Sequence, residues 1–308
     1  MAQGVFIGSS TFPDPSPGPV VTIGNFDGVH RGHQALVEQT MVMARAKNRP
    51  SCIYTFDPAP RDVLRPNNDI PRIQSLERKI ETLFQLGVEM VVVEPFDREF
   101  GQREAKWFAQ EVLHNRLGVS GLVLGWDFKF GRRRGGSARQ VREWIDVDVE
   151  EFPPFFFDGE VVSSSRIRMA VRDGGVGDAA RLLTRPHEVC GPVVAGDGRG
   201  RTIGFPTANV DSQKQLLPAP GVYAVRVDVG GSLLAGVANI GVRPTFGPGR
   251  VPLEVHLLHE SIDLYGQQLR VLFVERIRSE KKFESKDHLA NQIARDVRQA
   301  AELLGSAR

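Results

Sequence analysis

The chain has 308 residues and a mass of 34.0 kDa, about twice a common domain length, so two domains are expected, each able to bury its own core. Thirty-nine Lys and Arg against 37 Asp and Glu leave a formal charge of +2, which excludes a surface built throughout to neutralise polyphosphate chains. No stretch approaches the ~20 apolar residues of a membrane-spanning helix, and residues 1–18 hold neither a basic leader nor an apolar run, so no secretion signal is expected.

Proline-rich residues 13–19 read as a surface lead-in. The apolar run 20–24 predicts a short buried strand, and 33–47 places Leu36, Thr40, Met43 and Ala44 at helical spacing. A second strand is expected over 51–56, a helix over 76–86 and a third strand over 90–93. A helix over 105–117 and a strand over 122–124 close the series. Strands alternating with helices predict a parallel α/β sheet with ligands at the carboxyl ends of its strands. Residues 166–183 read as helical, interrupted by Asp173-Gly174-Gly175, and the boundary is placed at Arg185-Pro186. The domains are therefore 1–185 and 186–308.

Beyond the boundary, Tyr223, Val225, Val227 and Val229 alternate with Ala224, Arg226 and Asp228. Gly230-Gly231 forms a turn, 233–240 returns, and 253–258 and 269–274 alternate again. Closely spaced antiparallel strands with glycine turns predict a small sandwich or barrel. A last helix is capped by Ser285, buries Leu289, Ile293, Val297 and Leu304, and stops at Gly305. Cys52 and Cys190 sit in apolar stretches, allow at most one bridge and fit no metal cluster, which suits a reducing cytoplasm.

The run Gly24-Asn25-Phe26-Asp27-Gly28-Val29-His30-Arg31-Gly32-His33 leaves the first predicted strand and opens the first helix. Free helix amides and the positive dipole end favour phosphate there, and glycine lets backbone approach a ligand. His30 and His33, three apart, share one face and could donate to phosphoryl oxygens as pyrophosphate leaves. A capping histidine or half a zinc site are the plainer alternatives; no third Cys or His lies near in sequence. The loop also lacks the dinucleotide G-x-G-x-x-G spacing. Ser163-Ser164-Ser165-Arg166-Ile167-Arg168 combines hydroxyls with an arginine fork at a helix start, a fitting triphosphate clamp. Arg132-Arg133-Arg134 lacks interleaved aromatics or an RNA-binding motif. It reads as a loop over the ligand pocket and not as a nucleic-acid patch.

Together these segments resemble the N-terminal module of bacterial bifunctional riboflavin kinase/FAD synthetases, within the nucleotidyltransferase superfamily and its H-x-G-H signature. Thr55-Phe56-Asp57-Pro58-Ala59-Pro60 and Gly125-Trp126-Asp127-Phe128-Lys129-Phe130-Gly131 are similar to further family segments. Ala59 departs from a common histidine, Ser165 from threonine, and Trp126 from a position often polar. The resemblance implies a Rossmann-like domain in which Gly24, Asn25, His30, His33, Ser164, Ser165 and Arg168 bind ATP and its phosphates. Asp127 and Phe56 are implied in flavin binding.

In the second half, residues 196–209 hold Gly196, Gly198, Gly200 and Gly204 within nine positions and end in Gly204-Phe205-Pro206-Thr207-Ala208-Asn209. There is no Walker lysine, but such a flap offers amides to phosphate. Thr207 and Asn209, two apart on extended chain, suit Mg²⁺ held with substrate phosphates; a surface hairpin is the plainer alternative. Leu253-Glu254-Val255-His256-Leu257 sets Glu254 and His256 opposite three apolar residues, where a carboxylate could take a proton from an alcohol or simply be solvated. These segments, with Gly236–Phe246, Asp263–Gly266 and Arg276-Ile277-Arg278, resemble the riboflavin kinase fold, a small antiparallel β-barrel with a C-terminal helix.

By that resemblance Gly198, Gly200, Gly204, Thr207 and Asn209 hold Mg²⁺–ATP, and Glu254 activates the ribityl 5′-hydroxyl. The implied function is phosphorylation of riboflavin to FMN, followed by adenylylation of FMN to FAD and pyrophosphate. The alternative is a single activity with the other domain regulatory. ATP, riboflavin and FMN are the expected substrates, with no permanently bound cofactor, nucleic acid, membrane or obligate protein partner, in the cytoplasm.

Overall fold

Val20, Val21, Thr22 and Ile23 are all buried, as expected of a strand covered on both faces. In the computed structural model, which describes residues 4–13, 18–66, 70–196, 200, 204–241, 253–258 and 262–305, they form an inner strand of a six-stranded sheet. Its members are β1 (Gly4–Ile7), β2 (Val20–Ile23), β3 (Ser51–Asp57), β4 (Met90–Pro95), β5 (Gly121–Gly125) and β6 (Asp148–Phe152). They lie in the order β1-β4-β3-β2-β5-β6, and every pairing is parallel. On one face Val20, Ile53 and Val91 pack against α1 (Arg31–Lys47) and α3 (Leu76–Gln85) through Leu36, Val37 and Leu83. On the other, Val21, Tyr54 and Val92 meet Val112, Leu113 and Val141. Those last three belong to a helical segment and to α6 (Ala138–Trp144).

The sequence reading is extended at both sheet edges. β1 and β6 are strands the apolar pattern does not predict: β1 is half-exposed, with Val5 and Ile7 open to solvent, and β6 reads Asp-Val-Glu-Glu-Phe. Acidic side chains on an edge strand discourage pairing with another chain, and they mask the strand in a hydrophobicity pattern. The helix expected over 105–117 begins as α5 (Ala105–Trp107) and continues as a π-helix, Phe108–Arg116. Between α1 and this segment lie α2 (Pro60–Leu64) and α4 (Arg98–Gly101). A two-stranded hairpin, β7 (Phe156–Phe157) and β8 (Glu160–Val161), turns at Asp158 and Gly159.

The chain divides into two compact units, Met1–Ile70 with Leu76–Ser163, and Pro71–Ser75 with Ser164–Arg308. The second opens with α7 (Ser164–Arg172) and α8 (Val176–Leu183), separated at residues 173–175. Val176 of α8 is buried in the barrel's cluster, so these helices pack with the second unit although the switch to β-structure comes only after Arg185-Pro186. Pro71–Ser75 is tied to the same unit: the Leu216 N–H donates to the Arg72 carbonyl at 2.7 Å, and Gln74 donates to Glu188 at 3.3 Å.

The barrel is closed and antiparallel, in the order β10-β13-β12-β11-β14-β9. Its strands are β9 (His187–Val194), β10 (Ala208–Val210), β11 (Gly221–Val229), β12 (Ser232–Ile240), β13 (Leu253–Leu257) and β14 (Gln268–Ser279). Tyr223, Val225, Val227, Leu253, Val255 and Phe273 fill it. Gly230 and Gly231 make the two-residue turn with φ of 59° and 92°, values that suit glycine and match the twist of a hairpin. The final helix, α9 (Lys286–Leu303), is capped by Ser285, whose Oγ accepts from the His288 N–H. Leu304 is buried, and Leu289, Ile293 and Val297 are half-buried.

What fastens α9 to the barrel is polar as well as apolar. Asp296, 2% exposed, accepts Nε and a terminal nitrogen of Arg278 at 2.8–3.1 Å and Gln292 at 2.9 Å. Asp296→Ala leaves the guanidinium without its carboxylate partner and should lower unfolding free energy by about 3 kcal/mol in urea titrations; a loss within ~0.5 kcal/mol would show that the pair carries no stability. Burial also pushes the Cys52 thiol up to about 12. Below that value it stays a thiol and so a poor nucleophile. A thiol reagent at about pH 8 should therefore label Cys190 in the native protein and Cys52 only after unfolding.

Candidate active sites

The winding of the parallel sheet reverses between β2 and β5: β3 and β4 follow β2 on one side, β5 and β6 lie on the other. At such a reversal the loops leaving the carboxyl ends diverge and leave a crevice. The β2–α1 turn, residues 24–30, leaves one side of it. Asp127 follows β5 on the other, exposed.

The turn is held from below. The Gly24 N–H donates to the Tyr54 carbonyl at 3.0 Å, and the Phe26 ring, 1% exposed, is sunk in the core beneath Gly24. Three residues take positive φ: Phe26 at 48°, Gly28 at 86° and Val29 at 41°. Only glycine adopts this region without strain, and a β-branched valine there is an outlier. Strained backbone persists where its surroundings over-determine it, and here they do. Gln34 Nε2 donates to the Val29 carbonyl at 2.8 Å, and Arg61 pairs with Asp27 at 3.1 Å. Lys79 Nζ, on α3, donates to the Asn25 carbonyl at 3.1 Å and to Thr55 Oγ1 at 3.0 Å. Thr55 Oγ1 in turn lies 3.3 Å from the Asn25 carbonyl.

His30 is the N-cap of the 17-residue α1; its Nδ1 accepts from the His33 N–H at 3.3 Å. The capping role is thus real, and it has a chemical consequence. With Nδ1 accepting, the neutral ring carries its proton on Nε2, a donor. The two imidazoles stack at 3.6 Å between centroids and 16° between planes, and the His33 ring lies 5.1 Å from that of Phe26. Among the described residues no group of three or more His, Cys, Asp or Glu is placed to hold a metal.

The remaining positions read from the sequence are distributed as follows. Phe56 lies on β3 with its ring edge-on to Tyr54 at 5.4 Å and Phe96 at 5.7 Å. Trp126 is 56% exposed. Arg132–Arg134 form an exposed turn in which Arg132 pairs with Glu104 at 3.3 Å. Ser164 and Ser165 open α7, and Arg168, 6% exposed, donates its Nε to the Pro71 carbonyl at 3.2 Å. Arg61, Gln34 and Lys79 join the site without a motif that marks them in sequence. The legible sign for Lys79 was its place in the apolar stripe Leu76, Ile80, Leu83 of a helix, where an unengaged ammonium would be costly.

In the barrel, Leu253, Val255 and Leu257 point inward and Glu254 and His256 outward, the alternation expected. Register sets Asn209 of β10 opposite Glu254 on one side and Asn239 of β12 opposite it on the other. Directly opposed residues share a face, so an outward row Asn209–Glu254–Asn239 crosses three strands. His256 Nδ1 lies 2.8 Å from the Pro206 carbonyl; a carbonyl only accepts, so this nitrogen carries the ring proton. That bond fastens the chain just before Thr207 to β13. A Cβ at Gly196 would fall 2.0 Å from Asn209 Nδ2, and one at Gly200 would fall 2.3 Å from the Phe205 carbonyl and 3.2 Å from Thr207 Oγ1. These glycines let backbone close directly on Thr207 and Asn209. Gly204 takes φ of 86°; Gly198 lies outside the described residues.

The family model for FAD synthetase matches residues 13–166 and that for riboflavin kinase residues 183–304. A bifunctional riboflavin kinase/FMN adenylyltransferase of Escherichia coli (strain K12) is 41% identical over 295 residues, 94% of each chain. A protein of the same name from Bacillus subtilis (strain 168) is 36% identical over 299 residues, 94% of this chain and 93% of its own. A crystal structure of a protein described as a macrolide-efflux protein from Streptococcus pneumoniae matches with a TM-score of 0.86 at 30% identity, over 97% of this chain and 99% of its own. Among the described residues of the present chain, no helix is long and apolar enough to cross a membrane. With each half matched by its own model and relatives alike over nearly the full length, the chain belongs to the bifunctional riboflavin kinase/FMN adenylyltransferase family.

Proposed function

We propose that the two activities of the family are divided between the two sites described above. The chain is a riboflavin kinase and an FMN adenylyltransferase; riboflavin is phosphorylated at the outward row of the barrel, and FMN is adenylylated at the β2–α1 turn. The observation that carries this division is that His30 and His33 belong to one compact unit and Asn209 and Glu254 to the other.

At the barrel, Glu254 takes the proton of the ribityl 5′-hydroxyl as that oxygen attacks the γ-phosphorus of ATP, and ADP leaves. Catalysis of this kind is mostly positioning and charge neutralisation. Thr207 and Asn209 offer a hydroxyl and an amide oxygen beside a carboxylate, a hard donor set that fits Mg²⁺. When bound with the nucleotide, the ion neutralises phosphate charge. Gly200 and Gly204 offer backbone amides to the phosphates, and Gly198 is assigned to them by resemblance.

At the turn, a phosphate oxygen of FMN attacks the α-phosphorus of ATP, the bond to the bridging oxygen breaks, and pyrophosphate departs. His30, through its Nε2–H, and His33 donate to the oxygens on which charge develops. Gly24 and Asn25 lie against the nucleotide. Ser164, Ser165 and Arg168 open the second compact unit and are proposed as phosphate-binding positions on their hydroxyl and guanidinium chemistry alone. Asp127 and Phe56 are assigned to the flavin. The enzyme works in the cytoplasm, a reading supported by its free cysteines and its dependence on ATP.

His33→Ala should depress FAD formation from supplied FMN by roughly a hundredfold or more while FMN formation from riboflavin continues. Glu254→Ala should do the reverse. Chromatography of flavins over time, with each step given its own flavin, reads both. Equal loss of both reactions in either folded variant would contradict separate sites.

A further inference from the structure

The adenylylation site reads as phosphate-binding backbone, yet its strained turn rests on a buried amino group. Lys79 is 8% exposed, and its ammonium reaches the turn at the Asn25 carbonyl, at 3.1 Å. That carbonyl also lies within reach of the Thr55 hydroxyl, itself held by Lys79. One side chain thus joins α3, β3 and the β2–α1 turn.

A trans peptide points its N–H opposite to its C=O. A carbonyl fixed towards Lys79 therefore fixes the Asn25–Phe26 peptide plane, just ahead of the strained positions Phe26 and Val29. A charged donor holds an acceptor about twice as firmly as a neutral one. Gln34 on the Val29 carbonyl and Arg61 on Asp27 act further along the turn, whereas Lys79 and Thr55 act on the Asn25 carbonyl itself.

We infer that Lys79 is a positioning residue for adenylyl transfer: its ammonium locks the Asn25 peptide plane and so keeps the turn, and with it His30 and His33, in the geometry the transition state requires. The inference rests on the β2–α1 turn being the adenylylation site. A misplaced turn weakens interactions made in the transition state more than those made on binding, so the loss belongs in kcat.

The test is Lys79→Met, which keeps length and apolar stem but removes the donor, beside Lys79→Gln, which restores a neutral donor. FAD formation is followed from supplied FMN and ATP well below each variant's unfolding temperature. Lys79→Met should lower kcat by roughly ten- to hundredfold with KM values nearly unchanged, and Lys79→Gln should recover part of that loss. Riboflavin phosphorylation serves as the folding control. Wild-type kcat in Lys79→Met, or equal loss in Met and Gln variants of unequal stability, overturns the inference. His33→Ala separates the two levels. If it is inactive while Lys79→Met is normal, only the role of Lys79 falls; if it too is fully active, the site itself is wrong. Should Lys79→Met not fold, Lys79→Gln with full kcat and an unchanged response to ATP would overturn the inference equally.

Discussion

The reversal of strand order between β2 and β5 is the constraint on which the first unit depends. Parallel strands need crossover connections, and helices on both faces cover the sheet. Where the winding changes direction, the carboxyl end of β2 is left with its own turn and the N-terminus of α1. Unpaired helix amides there must find partners; one of them, that of His33, is met by His30. The same helix buries Leu36, Val37, Met41 and Ala44 against the sheet, so packing and chemistry share one rigid element. A site built this way tolerates strain at Phe26 and Val29 because core burial and the side chains beneath hold it.

The barrel solves a different problem with the same economy. Its interior is packed mainly with apolar side chains, with His187 buried at one end against Phe273, and the polar row Asn209–Glu254–Asn239 stands on the outside of β10, β13 and β12. Elsewhere the outer wall is covered: Val222, Ala224 and Val237 pack against Ala300 and Leu304 at the end of α9. Glycine takes the place of side chains where the chain before β10 closes on Asn209, since any Cβ at Gly196 would collide with its amide. In both units the segment proposed to handle phosphate is thus a strand end or strand edge pressed close by backbone.

Much of this was legible. Buried inner strands announce themselves by apolar runs, and the hairpin by Gly230-Gly231 between alternating strands. The Ser285 cap and Gly305 stop frame the last helix as read. The outward pairing of Glu254 with His256 followed from a period of two. Other features lay beyond local pattern. β6 is acidic because it is an edge, so its hydrophobic signal is weak. Apolar spacing over 105–117 does not distinguish an α-helix from the π-helix found at Phe108–Arg116. Cross-strand neighbours such as Asn239 beside Glu254 depend on register, which no single strand specifies. Lys79 and Thr55 meet Asn25 across 54 and 30 residues of sequence, a closeness only the fold creates.

The most direct test of two independent phosphate sites is a map of backbone amide shifts by NMR as a non-hydrolysable ATP analogue is added with magnesium. The account predicts two groups of moving amides, residues 24–33 and residues 204–209, saturating at different analogue concentrations. Saturation of the protein with no movement in 24–33 would contradict it.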